Sequence, residues 1–327
     1  MKKESSIDEI DAKILKFLLK DSRMSFTEIG RACDITVAAV RARYKNLWKL
    51  GVINGEIMQV NPLSLGYNCV CDIGIMTSPD REKQIRELLK GELYVTHVFG
   101  PFGKYDVGAK IVLHDTNKLA DVIAHIESHT QVRQTAVFIW AETVNIDHTE
   151  NLVIPPLFNE NKKDYAQQII SIPKEQGKID EIDRQIARIL VKNSRMPFRK
   201  IGSQLGISVK SVIQRYKKLR KNVLTISSIT VNLKKIGYNA MAHAFIKVTN
   251  RSKTEEVHAQ LLQIPNLIVT VKYIGIYDLL AIVALADFED FFSVSEKIRR
   301  IPNIEQSDIY LRPTFESWPL NLFATLL

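Results

Sequence analysis

Cysteine is scarce: three in 327 residues, too few for a disulfide scaffold and consistent with a reducing compartment, for which the cytoplasm is the default. No run of about 18 apolar residues occurs, so no membrane span is expected. The first residues, Met-Lys-Lys-Glu-Ser-Ser, are polar from the start and give no sign of a signal peptide. Nothing resembles a nucleophile paired with a general base. Gly100 and Gly103 are no phosphate cradle, because the turn they sit in leads into a strand rather than a helix. What is left is a globular chain long enough for roughly two to three domains.

The chain repeats itself. Ile7-Asp8-Glu9-Ile10-Asp11 returns as Ile179-Asp180-Glu181-Ile182-Asp183, Ser22-Arg23-Met24 as Ser194-Arg195-Met196, and Arg43-Tyr44-Lys45 as Arg215-Tyr216-Lys217, always 172 residues on. Gly66-Tyr67-Asn68 returns one residue early, as Gly237-Tyr238-Asn239. A period this long is not a solenoid unit, whose repeats run about 20–50 residues, so a domain or a pair of domains is duplicated.

Within the first copy the apolar spacing predicts a helix from about Asp8 to Lys20, capped by Asp8, with Ile10, Ile14, Phe17 and Leu18 on one face. A short second helix opens at Ser25, whose spacing to Glu28 is that of a capping box. After a break at Cys33-Asp34-Ile35, a third begins at Thr36 and stops at Gly51, with Val40, Tyr44 and Leu47 inward. Val52-Ile53 and Ile57–Val60 read as short extended pieces. Three such helices with a tight turn before the last make a helix-turn-helix. The second copy repeats it at Ile182–Val191, Phe198–Leu205 and Ser208–Lys221, but Pro197 replaces the capping Ser25 and no Gly-Val-Ile closes its last helix.

Charge is unevenly spread. The net +9 breaks into +3 over residues 1–60, −4 over 61–177, +10 over 178–232 and zero over 233–327, so the second three-helix unit carries the whole excess. A basic helix-turn-helix beside neutral or acidic domains is the footprint of a protein that binds double-stranded DNA. The bland alternative is a solvated basic face.

Between the helical units the period changes. Asn68–Met76, Pro79–Lys90, Tyr94–Phe102, Tyr105–Leu113, Thr116–Thr130 and Val132–Glu142 read β-α-β-β-α-β, the ferredoxin-like order. Ala240–Thr249, Lys253–Gln263, Leu267–Ile274, Tyr277–Leu285, Phe288–Arg300 and Ile304–Arg312 repeat it. Both central hairpins carry Gly-x-Tyr-Asp, at Gly103, Tyr105 and Asp106 and at Gly275, Tyr277 and Asp278. The expected class is α+β, two winged helix-turn-helix modules (1–62 and 179–233) alternating with two ferredoxin-like βαββαβ domains (63–142 and 234–327). Residues 143–178 read as a linker, long for a compact domain, yet Leu152, Val153, Ile154, Leu157 and Phe158 are apolar enough that part of it should dock. The apolar tail from Phe315 to Phe323 should pack on a ferredoxin-like sheet.

Ile7-Asp8-x-x-Asp11, Thr36-x-x-x-Val40-x-x-Arg43, Gly51-Val52-Ile53, Asn61-Pro62, Leu65-Gly66 and Gly-x-Tyr-Asp in this order resemble the Lrp/AsnC (feast/famine) transcription regulators, over nearly the whole chain and twice. The resemblance implies DNA binding by the first module, and dimerisation with amino-acid sensing by the second, the RAM domain. Most members carry one copy per chain. It also implies that the two Gly-x-Tyr-Asp hairpins meet an effector's amino and carboxylate groups, against the plain reading that Gly103 and Gly275 only serve hairpin turns. Self-association through the RAM sheets is expected, within one chain or as a homodimer.

On a recognition helix the DNA-facing positions lie near its N-terminus and opposite the core stripe. They are Thr36, Val37, Ala38, Arg41 and Lys45 in the first copy and Ser208, Val209, Lys210, Ser211, Gln214, Lys217 and Lys218 in the second. Lys210 and Gln214 have the reach and donors to read base edges, whereas Val37 and Ala38 can only touch a thymine methyl or sugar. The second copy should therefore discriminate better than the first. A chain using both would read an unsymmetrical pair of half-sites. Arg43 and Arg215 have two readings: a grip on phosphate, or internal pairs with Asp11 and Asp183. Cys69 and Cys71 share a strand face, where small-residue packing is expected, and His125 and His129 are spaced to bind a metal but have no third ligand nearby. Two alternatives remain. One is a weakly specific, chromatin-like DNA organiser. The other is a tetrapyrrole (sirohaem) decarboxylase, since some of these look like fused Lrp/AsnC units, although the stretch His97–Val107 lacks their Asn-Tyr-x-Arg and Trp-Phe-Thr pattern.

Overall fold

Two half-chains built on one plan are knitted together at two levels. The computed structural model describes residues 7–155, 157 and 179–327. In the first half, α1 (Glu9–Lys20), α2 (Phe26–Ala32) and α3 (Val37–Lys49) form the helix-turn-helix, followed by β1 (Ile53–Val60). Asp8 and Asp11 close a reciprocal capping box on α1, as Ser25 and Glu28 do on α2, so the backbone N–H of each cap residue and of the third helical residue is met by a side chain. Gly51, at φ 69°, turns the chain out of α3 in the left-handed region where a side chain would be strained. The ferredoxin-like unit follows as β2 (Cys69–Met76), α4 (Glu82–Lys90), β3 (Val95–Phe99), β4 (Val107–Leu113), α5 (Leu119–Glu127) and β5 (Gln134–Trp140).

The second half repeats the plan with α6 (Glu181–Lys192), α7 (Phe198–Leu205), α8 (Val209–Asn222) and β6 (Leu224–Val231), then β7 (Ala240–Val248), α9 (Thr254–Leu261), β8 (Leu267–Ile274), β9 (Leu279–Leu285), α10 (Phe288–Arg299) and β10 (Ile304–Pro313). Pro197 gives α7 no side-chain cap, as its chemistry requires. Without a glycine to stop it, α8 runs to Asn222 and passes through Val223 directly into β6. The expected elements are present with their ends moved by a few residues, and the two extended pieces expected at Val52-Ile53 and Ile57–Val60 are the single strand β1. The helix expected over Thr116–Thr130, for example, splits into a 3₁₀ turn at Thr116–Lys118 and α5.

Each ferredoxin-like unit is a four-stranded antiparallel sheet, β5-β2-β4-β3 and β10-β7-β9-β8. One face of each is covered by its own two helices. Cys69, Cys71, Ile73 and Ile75 alternate along β2 toward α4 and α5, so the two cysteines share a packed face. Ala242, Ala244 and Ile246 do the same toward α9 and α10. The opposite, helix-free faces turn toward each other and join one large core, in which the Phe102 and Phe245 rings meet edge to face at 4.9 Å. Pairing of Ile139 with Ile274 and of Trp140 with Tyr273 fuses the two sheets into eight strands. The RAM-type sheets thus pair within the chain.

At the other level β1 and β6 pair antiparallel and yoke the two helix-turn-helix units. The residues expected to begin a linker behave differently from a linker. Val144, Ile146, Leu152, Ile154 and Leu157 are buried. His148 N–H donates to the Ile268 carbonyl (2.8 Å), Thr270 N–H to that of Ile146 (2.9 Å), and the Lys16 ammonium to those of Thr149, Glu150 and Leu152 (3.2, 3.1 and 2.7 Å). Residues 143–155 therefore form a strap binding the first helix-turn-helix to the second sheet, since their apolar side chains gain more from burial than the chain loses by ordering. Phe158 and the rest of the expected linker lie outside the described residues. The tail is buried, but against both levels: the fully buried Trp318 pairs its backbone both ways with Val231 of β6 (2.8 and 3.0 Å), while Phe315 and Phe323 meet His243 and Trp140 of the two sheets.

Candidate nucleic-acid interface and inter-sheet cavity

The yoke fixes how the two recognition helices, α3 and α8, are presented. Ser22 and Ser194 touch hydroxyl to hydroxyl at 2.6 Å, and Ser22 also bonds Ser227. Around them two arginines cross over. Arg23 donates to the Ser194 and Met196 carbonyls and stacks on Phe198, with 4.2 Å from guanidinium carbon to ring centroid. Arg195 answers with the carbonyls of Ser22 and Met24 and stacks on Phe26 at 4.5 Å. This reciprocal latch was missed in the sequence, although Ser-Arg-Met standing in both copies was its signal. Burial pulls the Arg23 pKa below its ordinary value, against the pull of Tyr216 and Asp21.

Of the residues expected to face DNA, Thr36, Val37, Ala38, Arg41 and Lys45 are exposed on α3 and its cap, and Ser208, Val209, Lys210, Gln214, Lys217 and Lys218 on α8. Thr36 and Ser208 cap their helices, accepting from Ala39 and Ser211 backbone N–H at 3.1 Å each, and Ser211 is half-buried. The internal reading of the two arginines is the one the structure takes. Arg43 bridges Asp8 (2.6 Å) and Asp11 (2.9 Å), and Arg215 bridges Asp180 (2.6 Å) and Asp183 (2.7 Å). Lys218, expected at DNA, also reaches Asp183 at 2.6 Å. Arg215 holds the Asp180 carboxyl below its usual range. Burial works against Asp183, yet Lys218 and Arg215 bring it down too. These three cations clamp each recognition helix to the first helix of its own unit.

The two Gly-x-Tyr-Asp hairpins are engaged internally. Asp106 accepts from the Thr77 backbone N–H (2.9 Å), and Asp278 from that of Val248 (2.9 Å) and from Arg251 (3.1 Å). Tyr105 is buried, and Tyr277 donates its hydroxyl to Asp308. Gly103 has φ 59°, while Gly275 does not share that conformation. Among the described residues no cluster of His, Cys, Asp and Glu could hold a metal ion. His125 and His129 lie ring to ring at 5.2 Å, with His125 bonded to Glu92 (3.1 Å).

A cavity of about 350 Å³ opens between the two helix-free sheet faces, walled by Phe99, Phe102, Trp140, Ile282, Trp318 and other apolar side chains. On one side Asp72 is saturated by the Lys110 ammonium, the Trp140 indole N–H (2.7 Å) and the Tyr273 hydroxyl (2.6 Å), with Lys110 lying 3.7 Å over the Trp140 ring. On the other side are His243 and Arg312, whose Nε2 and Nε atoms are buried without a hydrogen-bond partner. Burial, with Arg312 adding to it, pushes the His243 pKa down to about 3, so its ring is neutral. The sequence gives no signal for Asp72, Lys110, His243 and Arg312, because strand positions facing a partner sheet look like ordinary alternation.

A pair of helix-turn-helix units on an intramolecular ferredoxin-like sandwich defines a class of one-chain, two-headed helix-turn-helix proteins. The AsnC-type helix-turn-helix domain matches residues 7–47 and 179–220. The HTH-type transcriptional regulator LrpA of Pyrococcus horikoshii is 38% identical over 119 residues, 36% of this chain and 84% of that protein. The regulator Ptr1 of Methanocaldococcus jannaschii is 33% identical over 118 residues, 36% of this chain and 80% of that one. Among solved structures the sirohaem decarboxylase NirDL superposes over 97% of this chain and 96% of its own, with TM-score 0.64 at 14% identity, a likeness of fold. The chain belongs to the Lrp/AsnC family of helix-turn-helix transcription regulators. Among the described residues no helix is long and apolar enough to cross a membrane.

Proposed function

We propose that this chain is a sequence-specific DNA-binding regulator that acts as a built-in dimer with two unequal heads. The observation that carries the reading is the pair of exposed recognition helices held by the β1–β6 yoke and the Arg23–Arg195 latch. One of them bears Lys210, Gln214 and Lys217; the other offers Val37 and Ala38 at the corresponding end. Lys210 and Gln214 read base edges, Lys217 and Lys45 meet phosphate, and the apolar start of α3 packs on sugar and methyl groups. Identical heads require a palindrome; unequal heads on one rigid yoke favour two different half-sites. An amino acid or related small molecule acting at the RAM sheets adjusts the binding, with Gly103, Tyr105, Asp106, Gly275, Tyr277 and Asp278 as hairpin positions to probe. The carboxylates there are already occupied, so such a ligand would meet backbone groups first.

The test is selection of bound duplexes from a random pool by the whole chain, followed by titration of selected and random duplexes against salt. Expected are an unsymmetrical consensus and a specific affinity well above the random one. Equal affinities for both duplexes would favour the chromatin-like organiser instead. The enzymatic alternative gains a specific foothold from the whole-length likeness to NirDL, and incubation with a sirohaem substrate, looking for released carbon dioxide, decides it.

A further inference from the structure

Buried polar atoms are nearly always paired, and a cavity that leaves two of them unpaired toward one space has room for a partner. Here His243 Nε2 and Arg312 Nε line the inter-sheet cavity without a partner, whereas the Trp318 indole N–H, which lines it too, lies against Asp147. The rest of the Arg312 fork is fixed, since Nη2 donates to the Gly103 carbonyl at 2.7 Å and Nη1 to that of Leu311 at 3.2 Å. A guanidinium carries its charge everywhere, and among the described residues no carboxylate is paired with this one. The acids that share the cavity are engaged: Asp72 with Lys110, Trp140 and Tyr273, and Asp147 with the Gln59 amide (2.6 Å). Apart from His97, the remaining wall is mostly apolar, aromatic and aliphatic, which disfavours a cluster of waters as the occupant. About 350 Å³ falls at the small end of organic ligand sites.

We propose that the inter-sheet cavity binds a small apolar monocarboxylate, its carboxylate on Arg312 and His243 and its apolar body against the Phe99, Phe102 and Trp318 walls. The site lies apart from the Gly-x-Tyr-Asp hairpin carboxylates. It is also wired to the heads. Gln59 of β1 donates both to Asp147 on the strap and to the Leu320 carbonyl of the tail (3.1 Å), and Asn321 donates to Val191 at the end of α6 (2.9 Å) and to Met58 of β1 (3.2 Å). A molecule pressing on the tail and strap bears on both helix-turn-helix units through these bonds. This regulatory half rests on the DNA-binding reading; the binding half does not.

The experiment measures calorimetric binding of 3-phenylpropanoate and of its neutral amide to the full chain, then the affinity of the chain for a selected duplex with and without the acid. The expected result is that the acid binds and the amide binds about tenfold or more weakly, the loss of one charge-assisted contact. Arg312→Gln weakens the acid to a similar degree, and Val271→Phe, which fills the cavity, abolishes binding while the fold is retained by circular dichroism. Equal binding of acid and amide, undiminished binding by folded Arg312→Gln or Val271→Phe, or uptake of an iron-uroporphyrin with no uptake of the acid would overturn the proposal. An acid that binds while the duplex affinity stays unchanged overturns the coupling. A chain that takes up the acid but ignores every duplex overturns the DNA-binding reading and leaves the cavity site standing.

Discussion

Asp147 sits on the strap, 5% exposed, with one carboxylate oxygen accepting from the Gln59 amide at 2.6 Å. Burial raises its pKa to about 6 from an ordinary 3.8, against the pull of Gln59 and His148. Between those two values the folded chain holds this proton and the unfolded chain has released it. Stability is therefore lost as pH rises from about 4 through about 6, and the loss is complete above that. Roughly two pKa units at about 1.36 kcal/mol each amount to about 3 kcal/mol. Asp147→Asn keeps an oxygen for Gln59 and cannot ionise. Urea denaturation of both proteins at pH 4, 5, 6 and 7 should show the variant gaining on the native chain by about 3 kcal/mol across that span. Asp8, held low against burial by the Asp11 backbone N–H and Arg43, and Asp180, held low by Arg215, titrate in both proteins and cancel in the difference. A flat difference, or one in which the native chain gains as pH rises, would refute the reasoning.

The heads and their yoke give further outcomes. Lys217→Ala should lower the salt slope of duplex binding by about one, and Lys210→Ala should relax base preference, read by anisotropy titrations at several salt concentrations. Arg195→Met leaves the Ser22 and Met24 carbonyls short of a donor and should cost about 1–3 kcal/mol in denaturant midpoints, with Arg23→Met similar and the pair less than additive. Trp318→Ala empties a fully buried site beside the cavity and should cost about 3–5 kcal/mol. Ser25→Ala should cost about 1 kcal/mol through its lost cap, while Pro197→Ala in the other copy forfeits no side-chain cap at all.

Much of the architecture could be read from repetition and period. The six helices of the two heads, their caps at Asp8 and Ser25, and the β-α-β-β-α-β order rest on contacts a few residues apart, which sequence spacing encodes directly. Tail burial was equally legible, because Trp318, Leu320 and Phe323 together are too apolar to face water. Less could be read where one residue has two chemically sound partners. Arg43 suits a phosphate as well as Asp8 and Asp11, and only the approach of α3 to α1 brings those carboxylates within 2.9 Å. Residues 143–155 look like a linker by position and become a strap because Lys16 and the second sheet offer them partners more than 110 residues away.

By itself the sequence determined a doubled plan, the type of each unit, and a surplus of positive charge in the second head, since helical period, capping chemistry and net charge are local or additive properties. Only the tertiary structure decided that the two copies close on each other within one chain, that Arg23 and Arg195 cross to latch the heads, and that His243 and Arg312 line a cavity between the sheets. Those outcomes depend on which surfaces meet. Two antiparallel sheets with one helix-free face each can pair in several ways with the same periodicity, and the choice is made by packing across the whole molecule.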